Sequence, residues 1–314
     1  MKILFFGSDA FAIPSLQILA TSSHKILAVV SQPDKPAGRG QKLSACPAAI
    51  AAETLHLKKM QPATLKEEKS VAELLALKPD LLVVVAYGKF LPHSLIEAIP
   101  CKAVNLHPSL LPKYRGASPI QSAILNGDTI TGVTTMTITE EMDAGDIYLQ
   151  AQTKIEETET AQDLYQRLGE LGAELLLKTL EGLEKKTLKA KPQDPSKVVR
   201  TTKFTKEDGH LHWQESAEVL YRKIRALNPW PGTFCYLGDK ILKIFEAAPL
   251  AHLADQKEAA KGKTGVVVGN KQAITVACGQ GYLSLLEVQL EGKKRMSAAE
   301  FLKGHPVDIG MILK

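Results

Sequence analysis

Apolar and polar positions change period several times along the chain, and each change marks an element. Ile3 to Phe6 is an unbroken apolar run closed by Gly7, which reads as a strand buried on both faces. Phe11 to Leu19 follows with helical spacing, and Pro14 falls near its start, where a helix tolerates it. Lys25 to Val30 predicts a second strand, and helices are expected near Pro47 to His56 and Leu65 to Leu77. Asp80 to Ala86 (DLLVVVA) is the strongest buried-strand signal, and Ala103 to Leu106 is another. Strands alternating with helices predict an α/β domain on a Rossmann-like open, mostly parallel sheet. Ligands of such sheets bind outside the carboxyl ends of strands, and Tyr87-Gly88 and His107 both fall there.

Thr160-x-x-Asp163 has the form of a capping box before a helix with Leu164, Leu168, Leu171 and Leu175 on one face. That helix is expected to close a first domain, residues 1–188. Pro192 and Pro195 then mark a linker, residues 189–206. In residues 207–314 the pattern gives a helix over Ala217 to Ala226. Short strands follow at Thr233 to Leu237, Lys240 to Glu246, Thr264 to Val268, Ala273 to Ala277 and Tyr282 to Gln289. Short strands with Gly-rich turns suit a small C-terminal β-barrel or a small sandwich.

Composition changes this picture little. A chain of 314 residues with 45% hydrophobic and 23% charged positions can fill two cores, which argues against disorder. No stretch approaches the roughly 20 apolar residues that span a bilayer, and Ile3 to Phe6 is too short for a signal-peptide core. A cytoplasmic protein without membrane association is the expectation. Cys46, Cys101, Cys235 and Cys278 have neither zinc-site nor disulfide-scaffold spacing and read as reduced thiols.

Charge is more informative. The net charge is +5, and residues 189–206 carry six Lys and Arg against Asp194 alone, so this stretch equals the whole excess. It reads as a phosphate-binding strip or as a solvated tether. The turn after the first strand, Gly7-Ser8-Asp9-Ala10-Phe11, is not G-x-G-x-x-G, and Asp9 would face a pyrophosphate badly. No Walker A loop exists either, which argues against a dehydrogenase or an NTPase.

The chemistry concentrates between Asn105 and Asp146. Residues i and i+2 of a strand point to one face, so Asn105 and His107 can converge. An acidic turn, Met142-Asp143-Ala144-Gly145-Asp146, comes later, and spacing leaves open whether Asp143 reaches them. An amide, an imidazole and a carboxylate together suit transfer of an acyl-like group to an amine.

Asn-x-His-x-Ser-Leu-Leu-Pro-x-x-Arg-Gly (105–116) followed by Met-Asp-x-Gly-Asp resembles the active-site pattern of the 10-formyltetrahydrofolate-dependent formyltransferases. Ser31-Gln32-Pro33-Asp34-Lys35-Pro36-Ala37-Gly38-Arg39-Gly40 is similar to the inserted loop of the methionyl-tRNA-specific members of that family. Asn228-Pro229-Trp230-Pro231-Gly232 resembles a signature of their C-terminal domain. The resemblance implies an OB-like C-terminal barrel, 10-formyltetrahydrofolate as a consumed cosubstrate, no metal and initiator methionyl-tRNA as acceptor, with no obligate protein partner. Residue by residue, it implies catalysis by Asn105, His107 and Asp143. It implies a folate site formed by Val85, Ala86 and Tyr87 on one wall and Ser109, Leu110, Leu111 and Pro112 on the other. For tRNA contact it points to Lys35, Arg39 and Lys42 of the inserted loop, and the basic strip adds Lys197, Arg200, Lys203 and Lys206. The nearest rival is formylation of a nucleotide-linked amino sugar. Formylation of glycinamide ribonucleotide fits less well, because those enzymes resemble the first domain alone. The rival of another class is a non-catalytic RNA-binding protein, against which the intact Asn105, His107 and Asp143 argue.

Overall fold

The computed structural model describes residues 1–37, 42–252 and 262–314. They form two units, one of Met1–Pro119, Ile130–Lys154 and Tyr165–Thr201, the other of Ile120–Thr129, Ile155–Leu164 and Thr202–Lys314.

The first unit begins β1 (Lys2–Gly7), α1 (Ile13–Ala20), β2 (Lys25–Val30), β3 (Lys35–Ala37), β4 (Lys42–Ser44), α2 (Pro47–Thr54) and β5 (Lys59–Met60). It continues with α3 (Glu68–Leu75), β6 (Leu81–Val85), α4 (His93–Glu97), β7 (Ala103–His107) and β8 (Arg115–Gly116). Next come α5 (Pro119–Leu125), which from Ile120 on belongs to the second unit, then β9 (Ile130–Thr137), β10 (Ile147–Lys154), α6 (Ala161–Glu184), whose residues up to Leu164 also belong to the second unit, and β11 (Arg200–Thr201). Seven strands form one sheet in the order β10-β9-β7-β6-β1-β2-β5. The apolar runs that predicted β1 and β6 are its centre, with Ile3 to Phe6 and Leu81 to Val85 all buried. Strands β5, β2, β1, β6 and β7 are parallel, while β9 and β10 close the edge antiparallel. The chain leaves β1 towards β2 and returns to β6 on the other side. The carboxyl ends of β1 and β6 therefore form the switch point where such sheets open a crevice, with the end of β7 beside it.

At the first turn of that crevice the hydrogen-bond donors are already engaged. The Asp9 carboxylate accepts from the Phe11 amide at 3.1 Å and bonds the Tyr165 hydroxyl, so it occupies the donors a pyrophosphate would use. The capping box forms as predicted. Thr160 N donates to Asp163 Oδ2 at 3.0 Å and Asp163 N to Thr160 Oγ1 at 3.3 Å. Leu164, Leu168 and Leu175 are buried, whereas Leu171 is half-buried and Leu176 and Leu180 carry the stripe on. The inserted segment after β2 contains the hairpin β3–β4, paired from Lys35↔Ser44 to Ala37↔Lys42, where a long irregular loop was expected.

The second unit contains α7 (Ala217–Ala226), β12 (Thr233–Leu237), β13 (Lys240–Leu250), β14 (Val267–Gly269), β15 (Ile274–Ala277), β16 (Tyr282–Leu290), β17 (Met296–Ser297) and α8 (Ala298–Gly304). Antiparallel pairing in the order β12-β13-β16-β15-β14, with β17 on β16, makes an OB-like curled sheet. Register shifts between Ile244 and Ala247 let the eleven-residue β13 bend around the core of Leu220, Ile224, Leu242, Val276, Leu283 and Phe301. Burial pushes the Cys235 and Cys278 thiols up to about 12, so both stay neutral packing groups, and Cys101 is exposed. Among the described residues no helix is long and apolar enough to cross a membrane.

Candidate active site

β7 ends at the switch-point rim, registered against Val84 and Val85 of β6 and against Thr134 to Thr137 of β9. Strand alternation puts Asn105 and His107 on one face. His107 is 4% exposed, and its Nε2 lies 3.0 Å from the Tyr114 carbonyl. A carbonyl can only accept, so Nε2 carries a hydrogen, and Nδ1 is the nitrogen that faces Asp143. Asp143 Oδ2 stands 3.6 Å from Nδ1, so the turn between β9 and β10 does bring its carboxylate to the imidazole. Asn105 is half-buried.

Backbone geometry holds Asp143 there. Asp143 is in the left-handed region at φ 54°, which an Asp tolerates better than most residues. Its Oδ2 accepts from the Gly116 amide at 2.8 Å. Gly116 is at φ +117°, and an added Cβ would lie 2.3 Å from the Thr201 carbonyl of the paired strand β11. Gly145, two residues past Asp143, is packed so closely that a Cβ would meet Thr137 O at 1.9 Å. Both glycines are therefore dictated by close approach of backbone.

The loop after His107 is pinned by β9. Thr134 Oγ1 donates to Ser109 O at 2.6 Å and accepts from Leu111 N at 3.2 Å and Gln150 Nε2 at 2.9 Å. Gln150 Nε2 also reaches Leu111 O at 2.8 Å, and Ser109 Oγ donates to Lys113 O at 2.7 Å. On the facing rim, Tyr87 O accepts from Ser8 Oγ at 3.1 Å and Gln32 Nε2 at 2.7 Å. Of the expected folate residues, Val85, Tyr87, Ser109 and Leu111 are buried and form the frame, while Ala86, Leu110 and Pro112 are half-buried at the rim.

The basic residues are less uniform than their sequence count. Lys35 is exposed on β3 and donates to Gln32 Oε1 at 2.7 Å. Arg39 and the side chain of Lys42 lie outside the described residues. Lys197 pairs with Asp194 at 3.3 Å, and Arg200 reaches Glu141 of the acidic turn at 2.5 Å. Lys203 and Lys206 are exposed.

Residues 189–201 of the expected linker belong to the first unit. Lys191 exchanges backbone hydrogen bonds with Ile147 at 2.8 and 2.9 Å, and Arg200-Thr201 pairs in parallel with Arg115-Gly116. Arg115, the last of the basic tripeptide Lys113-Tyr114-Arg115, turns inward and is 8% exposed. Its Nε and Nη2 donate to Gln193 Oε1 at 3.0 and 2.9 Å, and its Nη1 lies 3.4 Å from Glu141 Oε1. Sequence reasoning missed Thr134, Gln150 and Gln193. A threonine-rich strand and a polar segment between prolines carry no apolar period to reveal them.

Residues 1–180 match the formyl transferase family, and residues 203–306 match the formyl transferase C-terminal domain. A methionyl-tRNA formyltransferase of Lachnospira eligens is 43% identical over 100% of this chain and 99% of its own length. One of Syntrophus aciditrophicus is 40% identical over 100% and 99%. Among solved structures, an N-formyltransferase from Helicobacter canadensis in complex with folinic acid and dTDP-3-aminofucose superposes with a TM-score of 0.67 at 18% identity, covering 91% of this chain and 98% of that one. HypX from Aquifex aeolicus in complex with tetrahydrofolic acid gives 0.63 at 21% identity over 98% of this chain, which spans about half of HypX (50%). At these identities the two structures establish the fold alone.

Proposed function

The chain belongs to the methionyl-tRNA formyltransferases of the formyl transferase family, and from that premise we propose that it moves the formyl group of 10-formyltetrahydrofolate to the α-amino group of methionyl-initiator-tRNA. The observation that carries the mechanism is the grouping of Asn105, His107 and Asp143, with Asp143 Oδ2 at 3.6 Å from the imidazole.

The unprotonated amine of the methionyl ester attacks the formyl carbon, and the carbonyl oxygen becomes an oxyanion. The half-buried Asn105 amide and the His107 ring stabilise that charge where it develops. Asp143 orients the ring and supports positive charge on it. The nitrogen loses a proton, the bond from the formyl carbon to folate N10 breaks, and N10 takes up a proton relayed past Asp143. Free tetrahydrofolate and formyl-methionyl-tRNA leave. The half-buried Ala86, Leu110 and Pro112 are assigned to pterin contact, and the buried Val85, Tyr87, Ser109 and Leu111 to the frame of that site.

The acceptor end of the tRNA is assigned to the inserted segment, with Arg39 as its principal contact beside Lys35 and Lys42, and the tRNA backbone to Lys197, Arg200, Lys203 and Lys206. Arg200 and Lys197 would exchange their acid partners for phosphate, so Lys203 and Lys206 are the stronger candidates. The rival acceptor, a nucleotide-linked amino sugar, is disfavoured by full-length identity of about 40% to methionyl-tRNA formyltransferases. The deciding assay offers methionyl-tRNA and an amino-sugar nucleotide in parallel with 10-formyltetrahydrofolate. Formylation of methionyl-tRNA is expected, and transfer to the sugar alone refutes the reading.

A further inference from the structure

The side-chain amide of Gln193 uses every hydrogen-bonding position it has. Its Oε1 accepts from Arg115 Nε and Nη2 at 3.0 and 2.9 Å, and its Nε2 donates to the carbonyls of Asp143 at 2.8 Å and Gly145 at 2.7 Å. An amide has two lone pairs and two N–H bonds to give, so this set is complete. The guanidinium faces one end and the two carbonyls the other, which fixes the orientation of the amide. Arg115 also reaches Glu141. The pair Arg115–Gln193 thus grips the acidic turn at three residues, 141, 143 and 145, on both sides of the left-handed φ at Asp143.

We infer that Gln193 is a positioning residue for formyl transfer: by tying down the Asp143 and Gly145 carbonyls it keeps the Asp143 carboxylate against the Nδ1 side of His107. No other side chain of similar length does this. Glutamate keeps the acceptor for Arg115 but has no hydrogen for the two carbonyls and sets negative charge against them. Methionine matches the length and offers neither end. The held distance of 3.6 Å is already at the edge of direct hydrogen bonding, so drift of the turn weakens the charge attraction and moves the carboxylate away from the geometry in which it orients the ring. The inference rests on the proposed function for its kinetic readout alone.

The test uses the full-length protein with Gln193→Met, Gln193→Glu, Asp143→Asn and the combination Gln193→Met with Asp143→Asn. Misplacement of a catalytic group by about 1 Å costs on the order of 10²-fold in rate. Gln193→Met and Gln193→Glu are therefore expected to lower kcat by about 10- to 100-fold, while KM for methionyl-tRNA stays within about threefold. A residue acting through Asp143 loses its effect once Asp143 is gone, so the double variant should match Asp143→Asn alone. Nitrogen NMR of the His107 ring gives a substrate-free readout. Its signals should move in Gln193→Met in the direction seen for Asp143→Asn, with no further movement in the double variant. Independent, multiplying losses in the double variant overturn the inference, as does normal turnover with only a lowered melting temperature. If Gln193→Met does not fold, Gln193→Glu, which keeps the Arg115 contact, carries the same comparison. Should wild type fail to formylate methionyl-tRNA, the proposed acceptor falls, and the ring signals still decide the role of Gln193.

Discussion

Asp143→Asn is the most informative single change. Asparagine keeps an oxygen for the Gly116 amide and is at ease in the left-handed region, so the turn at φ 54° should persist. What vanishes is the charge facing His107. At 3.6 Å, with an effective dielectric of about 20, attraction between that carboxylate and a positive imidazole is about 4–5 kcal/mol. The Asp143 side chain is 14% exposed and the His107 side chain 6%, which keeps water from quenching most of it. Some of the attraction is already present before reaction, so that figure caps the catalytic effect at about 10³-fold. A fall in kcat of about 10²–10³ is expected, with a melting temperature near that of wild type. The assay is initial-rate formylation of methionyl-tRNA at saturating 10-formyltetrahydrofolate, beside a thermal melt. A folded Asp143→Asn enzyme within about threefold of wild type would show that the carboxylate has no part in the chemical step.

Asn105→Ala should lower turnover by about 10²–10³, the usual loss for one oxyanion donor, with KM for methionyl-tRNA nearly unchanged; a pure KM effect would make Asn105 a binding group. Lys203→Gln should weaken methionyl-tRNA binding and flatten the slope of log K against log salt by about 0.7–0.9, whereas Arg200→Gln should flatten it less, because Glu141 already shares that charge. Equal slopes for wild type and Lys203→Gln in filter-binding titrations would return the residue to a solvated surface. Burial, helped by the Met1 ammonium and opposed by Glu184 and Glu181, holds the His24 pKa below its ordinary 6.5. The unfolded chain then binds a proton that the native state refuses, so this stability is present above pH 6.5 and lost as pH falls below it. His24→Gln should lose less stability than wild type between about pH 6.5 and 5 in urea unfolding, and parallel curves would contradict this.

What the sequence made legible follows from how each part is held. β1, β2, β6, β7 and α7 lie where the apolar pattern puts them, because burial alone specifies them. β9 was invisible for a physical reason. Thr134 and Thr135 are fully buried, yet they read as polar, because their hydroxyls are consumed by Ser109 O and by Thr179 Oγ1. The hairpin at Lys35 to Ser44 hid behind its proline and glycines. The segment 189–206 hid its contact with the Asp143 turn for the same reason as β9. Backbone pairing and one glutamine side chain hold it, and neither leaves a periodic trace. Asn105 and His107 were readable as a pair from strand alternation, but the approach of Asp143 needed the turn geometry that Gly116 and Gly145 permit.

The interleaving of the two units bears on how such genes can recombine. The second unit takes Ile120–Thr129 and Ile155–Leu164 from inside the stretch that otherwise encodes the first. In α7, Arg225 Nη1 donates to Glu159 O at 2.9 Å and the Tyr221 hydroxyl to Glu157 O at 3.2 Å. A single crossover near codon 202 would deliver α7 and the curled sheet from one parent and those carbonyls from the other. A backbone shift between the parents at residues 155–164 would then strand a half-buried guanidinium without its acceptors, a loss of the costly kind. Chimaeras should tolerate five coordinated crossovers, carrying both inserted segments with their own C-terminal half, better than one.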